Sequence, residues 1–106
     1  MPAPDALITS FYQAFSRRDW QAMGACYHPD VHFTDPVFDL HGDQARLMWQ
    51  MLCTRGKDLE IDFRDVRVEG ARGYAHWDAR YTFSATGGKV LNRIDASFEF
   101  RDDLIV

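Results

Sequence analysis

From Leu59 to Phe100 the residues alternate apolar and polar, and no other feature narrows the fold as much. A period of two belongs to strands with one packed face and one wet face. Leu59, Ile61 and Phe63 fall on one face, whereas Val66 and Val68 have the opposite parity. A β-bulge near Arg64-Asp65 accounts for that slip and bends the sheet. Beyond the turn Glu69-Gly70-Ala71-Arg72-Gly73, one face carries Ala75, Trp77, Ala79, Tyr81 and Phe83. His76, Asp78, Arg80, Thr82 and Ser84 line the other. Thr86-Gly87-Gly88 is a hairpin signal. The next strand faces Val90, Asn92, Ile94, Ala96, Phe98 and Phe100 one way, and Leu91, Arg93, Asp95, Ser97 and Glu99 the other. Asp102-Asp103 turns the chain into a further strand at Leu104-Ile105-Val106.

The first half of the chain has a helical period instead. Leu7, Ile8, Phe11, Tyr12 and Phe15 form one apolar stripe on a helix opened by Pro4 and Asp5. Ser16-Arg17-Arg18-Asp19 ends it, and Asp19 can cap a second helix that runs to about Tyr27, with Trp20, Met23 and Tyr27 inward. His28-Pro29-Asp30 breaks the chain. Gly42-Asp43 starts a third helix with Leu47, Met48, Met51 and Leu52 as its apolar face and Trp49 at the flank, stopped by Arg55-Gly56-Lys57. Three helices followed by long antiparallel strands imply an α+β layer fold. About four to six strands would form a curved, cone-shaped sheet whose concave face the helices close. The mouth of such a cone is a natural ligand pocket.

Bulk properties exclude several classes. The 106 residues suffice for one domain, 1–106, with a viable core. A net charge of −4 with scattered basic residues argues against nucleic acid and anionic membrane as partners. Cys26 and Cys53 show no metal or redox spacing and read as buried thiols in a reducing compartment. With no signal segment and no apolar run near membrane-spanning length, a cytoplasmic protein is expected. No His, Cys or acid set has metal-ligand spacing and no Gly-rich phosphate loop occurs, so neither metal nor other cofactor is expected.

Between the second and third helices lies Val31-His32-Phe33-Thr34-Asp35-Pro36-Val37-Phe38, a short strand running into a loop. Pro36 pushes Asp35 toward extended conformations. Two roles are open for that carboxylate: accepting backbone N–H bonds at a turn, or acting as a base in an apolar pocket. His32 alternates with Val31 and Phe33 and should face solvent, while His41 can reach a pocket rim. Phe11, Phe15, Phe33, Trp49, Trp77 and Phe98 are pocket-lining or core residues, and Asn92 is a lone amide on an apolar face that needs a partner.

The order of elements, together with Phe11-Tyr12-Gln13-Ala14-Phe15, Asp19-Trp20, Tyr27-His28-Pro29-Asp30, Asp35-Pro36-Val37, Gly42 and the hairpin from Trp77 to Phe100, resembles the nuclear transport factor 2-like superfamily. It is most similar to the SnoaL-like (polyketide cyclase-like) and ketosteroid isomerase-like branch. That resemblance implies a pocket for a small hydrophobic carbonyl compound, with proton-transfer chemistry (isomerisation, cyclisation or dehydration) and Asp35 as base. Phe11, Phe15, Phe33, His41, Trp49, Trp77 and Asn92 would contact the substrate. The alternative is a non-catalytic ligand-binding or dimerisation module. The resemblance also places Phe11, which has no donor, where an oxyanion-binding tyrosine is expected; Tyr12 lies about 100° further round the helix. The matching second donor is Asp95 or, in another register, Ala96. Epoxide hydrolases of this fold use an Asp-Arg-Asp set, but Trp77 and Ala79 stand where its Arg and one Asp would be. The resemblance further implies a homodimer through the outer sheet face and a longer final strand, so a C-terminally truncated domain is expected.

Overall fold

The computed structural model describes residues 4–35, 38–55, 58–83 and 86–106. Pro36, the Gly56-Lys57 helix stop and Ser84 lie outside the described residues. The elements run α1 (Pro4–Ser16), α2 (Trp20–Ala25), β1 (His32–Thr34), β2 (Asp39–His41), α3 (Asp43–Arg55), β3 (Glu60–Glu69), β4 (Arg72–Phe83), β5 (Gly88–Arg101) and β6 (Leu104–Ile105). The strands form an antiparallel β1-β2 ribbon and an antiparallel sheet in the order β3-β4-β5-β6. No helix is long and apolar enough to cross a membrane.

Local chemistry explains the corners. The N–H groups of Arg18 and Asp19 bond to the carbonyls of Phe15 and Ala14, a Schellman-type end in which Arg18 takes the left-handed conformation at φ 58°. Asp19 then caps α2 by accepting from the Ala22 N–H at 3.1 Å. The expected bulge is present: register shifts between Arg64 and Arg67, with Asp65 at φ 57°. Asp102 and Asp103 both have positive φ, as a two-residue type I′ hairpin requires.

Two helices depart from the sequence reading. α2 ends at Ala25, short of Tyr27, whose N–H bonds to Gly24 O. In α3 the buried residues are Ala45, Met48, Trp49 and Cys53, whereas Leu47, Met51 and Leu52 are exposed, Leu47 by 62%. The helix is therefore rotated so that Trp49, expected at the flank, points inward. A large aromatic ring buries more area than a leucine, and that difference favours this rotation.

The strip Leu104–Val106 joins the layers. Ile105 N–H donates to Cys26 O and Ile105 O accepts from His28 N–H, both at 2.8 Å. Val106 O accepts from His32 N–H at 2.8 Å, and Val106 N–H donates to Glu99 O at 2.9 Å. The strip thus bonds on one side to β5 and on the other to the segment leading into β1.

Helix and sheet meet closely at Gly73, the partner of Phe98 in β4–β5. A Cβ there would lie 2.5 Å from Ile8 Cδ1 and 2.8 Å from Phe100 Cζ. Gly73→Ala is therefore predicted to destabilise by about 1–3 kcal/mol, as overpacking does. Removing Ile8 Cδ1 gives back part of that cost. Thermal unfolding should show Gly73→Ala plus Ile8→Val to be less destabilised than the sum of the single changes, and strict additivity would contradict the contact.

Candidate functional site

Two adjacent residues of α1 build the interior. Phe11 faces the helical side, with ring centroids 5.2 Å from Tyr27 and 5.7 Å from Trp49. Tyr12 faces the sheet, 5.5 Å from Phe63, 6.0 Å from Trp77 and 6.1 Å from Phe98. Tyr12 thus shares the buried stripe with Phe11 although it lies about 100° further round the helix. α1 lies between two layers, so a stripe wider than 100° is buried. Phe15 joins Trp49 and Trp77 at 5.0 and 5.4 Å, and Phe33 touches Trp49 at 5.7 Å. Trp49 Nε1–H donates to Tyr27 Oη at 2.7 Å.

The polar groups of this interior are few. Burial raises both phenol pKa values above the usual tyrosine value, that of Tyr12 first by desolvation and then by Tyr27, that of Tyr27 first by desolvation. Tyr12 is only 2% exposed, and among the described residues its hydroxyl has no hydrogen-bond partner. The one fully sealed, unpartnered side-chain polar atom among them is Arg18 Nε, so the Tyr12 hydroxyl keeps some contact with solvent. The phenol is thus a neutral donor at the edge of an aromatic layer formed by half-buried Phe33, Phe63, Trp77 and Phe98. The sequence signal for it was the apolar stripe of α1, whose one polar atom is this hydroxyl.

The other expected site residues are dispersed. Phe11, Phe15 and Trp49 are buried in the core, and Phe33 and Trp77 are half-buried against it. Asp35 is exposed: its Oδ1 accepts from Phe38 N–H at 2.6 Å and its own N–H donates to Phe38 O at 2.9 Å. Asn92 has the parity of the concave face, yet it is exposed, with Nδ2 3.4 Å from Tyr81 Oη. Its pair partner Ala79 is buried, so it is the β5 side of this row that reaches solvent. A surface groove of about 400 Å³ is lined in part by Tyr81, Val90 and Leu91 near this end.

His41 is exposed and belongs to a cluster that linear spacing concealed. The β1–β2 register sets His32 opposite His41, and Asp39 shares the face of His41. His32 Nε2 is 2.6 Å and His41 Nε2 3.6 Å from the same Asp39 Oδ1. Linear spacing did not reveal this group, because it is the ribbon that brings the two histidines and the acid together.

On the outer sheet face, Asp95 holds His76 Nδ1 at 2.7 Å and Asp78 holds His76 Nε2 at 2.8 Å; Arg64 reaches Asp78 at 3.1 Å. These bonds to Asp95 and then Asp78 raise the His76 pKa, while His76 and then Arg64 lower that of Asp78.

Residues 8–106 match the family model of the SnoaL-like domain. No curated protein matches the chain. Among solved structures, it is similar to a protein from Xanthomonas campestris pv. campestris provisionally termed a polyketide cyclase. The two are 27% identical over 96% of this chain and 84% of that one, with a TM-score of 0.70. An NTF2-like protein from Burkholderia thailandensis matches all of this chain and 87% of its own at 18% identity, with a TM-score of 0.85. An LEH-like epoxide hydrolase of M. tuberculosis shares 14% identity over 96% of this chain and 76% of its own, with a TM-score of 0.75. At such identities the last two likenesses speak for the fold alone.

A raised histidine pKa contributes stability that is complete below the ordinary value of 6.5 and is lost as pH rises through the folded value. A lowered Asp78 pKa contributes above the ordinary carboxylate value and is lost as pH falls through its folded value. Between about pH 6 and about pH 8.5, urea midpoints should therefore fall more for the wild type than for His76→Gln. Equal changes in both proteins would contradict the assignment.

Proposed function

Because the chain belongs to the SnoaL-like domain family, we propose that it binds a small hydrophobic carbonyl compound on its concave aromatic layer, without proton transfer by Asp35. The observation that carries this reading is the Tyr12 hydroxyl, a solvent-touching donor with no protein partner among the described residues, bordered by Phe63, Trp77 and Phe98. A ligand carbonyl seated on this layer would replace water as the acceptor for that hydroxyl. Flat ring systems would gain from offset or edge-to-face contact with Trp77 and Phe33. The neighbour termed a polyketide cyclase supports this ligand class.

Asp35 does not act as a base in this reading. A general base must come within hydrogen-bond reach of the substrate proton. Asp35 is exposed and one of its oxygens already accepts from the Phe38 N–H.

The test uses a steroid enone and a bicyclic polyketide-like ketone, followed by quenching of tryptophan fluorescence. Tyr12→Phe should weaken binding roughly two- to tenfold, the value of one hydrogen bond. Asp35→Asn should leave affinity unchanged, and deuterium should enter the ketone's α-position no faster with the protein than in buffer. Absence of binding, or equal affinity in Tyr12→Phe, would overturn the ligand site. Protein-dependent deuterium uptake that Asp35→Asn abolishes would overturn the non-catalytic reading and establish Asp35 as a base.

A further inference from the structure

We infer that His32, Asp39 and His41 form a binding site for a borderline divalent transition-metal ion, with Zn²⁺ the best-fitting case. The geometry follows from the β1–β2 ribbon. His32 and His41 are directly paired and Asp39 precedes His41 by two, so all three side chains share one face. The opposite face carries Phe33 and Leu40, packed against the core, which turns the polar face outward. The two imidazoles stack in parallel, with centroids 4.2 Å apart and planes 9° apart. Both aim Nε2 at one carboxylate oxygen, and the three donor atoms lie within 4.8 Å of one another.

The backbone beneath this face is anchored. His32 N–H donates to Val106 O at 2.8 Å, and His41 N–H to Gln44 Oε1 at 3.1 Å. Gly42 N–H closes the ribbon on Val31 O at 2.8 Å. The donors thus stand on a tied hairpin, and side-chain torsion alone has to adjust them. In a tetrahedral site with bonds of about 2.0–2.1 Å, ligand atoms lie roughly 3.3–3.4 Å apart. The two Nε2–Oδ1 separations, 2.6 and 3.6 Å, straddle that value.

The donor set selects the ion. Two imidazole nitrogens and one carboxylate suit zinc and its transition-metal neighbours, whereas calcium and magnesium favour all-oxygen shells. Three protein ligands leave at least one position for water, and the exposure of all three residues lets water fill it. This site stands apart from the aromatic layer and does not depend on the ligand reading given above.

The experiment is a calorimetric titration of the untagged, full-length protein with ZnCl₂, repeated with Co²⁺ to read the visible d–d bands of a nitrogen–oxygen site. One equivalent should bind. His41→Gln and Asp39→Asn, both at exposed positions, should each weaken binding at least about tenfold, since even loss of an outer-shell partner costs roughly 10–100-fold. His28→Gln and His76→Gln, outside the cluster, should leave affinity unchanged. Circular dichroism confirms that each variant is folded. Absence of saturable uptake, uptake that His41→Gln and Asp39→Asn retain, or uptake lost in His28→Gln or His76→Gln would overturn the site.

Discussion

Everything in this fold hangs on two neighbouring rings of α1. Phe11 and Tyr12 are consecutive, yet one packs on Tyr27 and Trp49 and the other on Phe63, Trp77 and Phe98. A helix can bury neighbouring residues against different layers only if it lies between those layers. That position clamps α1 between the α2–α3 side and the concave side of the sheet. Phe15 closes the seam by touching both tryptophans. Burial of aromatic rings on this scale supplies most of the favourable free energy of a small domain. The same clamp leaves one phenol hydroxyl at the border of an apolar layer, so packing and the candidate site share a cause.

A second constraint works through the backbone. Leu104–Val106 hydrogen-bonds to β5 and to residues at 26, 28 and 32, so the sheet and the β1–β2 ribbon are held in one frame. The ribbon owes its position to these bonds. It owes its shape to the Asp35–Phe38 pair, which joins the two short strands through both backbone and side chain. The Asp35–Phe38 bonds thus tie together the two short strands that carry His32, Asp39 and His41.

Much of this was legible in the sequence. Period-two alternation gave the long strands, the parity slip gave the bulge at Arg64–Arg67, and Asp19 announced the α2 cap. The family resemblance agrees with the match over residues 8–106. Three things were hidden, each for a physical reason. The inward turn of Trp49 depends on which layers flank a helix, and helical periodicity does not encode that. Asn92 has the right parity but is exposed while its pair partner Ala79 is buried, because alternation specifies a face and not a depth. The His32–Asp39–His41 cluster depends on hairpin register, and β2 is only three residues long. So short a strand gives little periodic signal, although the alternation Asp39-Leu40-His41 was there to read.

Tyr12 and the half-buried aromatic layer are proposed to seat a hydrophobic carbonyl ligand. Intermolecular nuclear Overhauser effects from a bound ¹³C-labelled polyketide-like ketone to the protein's aromatic protons test it most directly. Contacts are expected from the ring system to Trp77 and Phe98, with the carbonyl end nearest Tyr12. Contacts confined to the Tyr81–Leu91 groove or to the β1–β2 ribbon, with none to Tyr12 or Trp77, would contradict it.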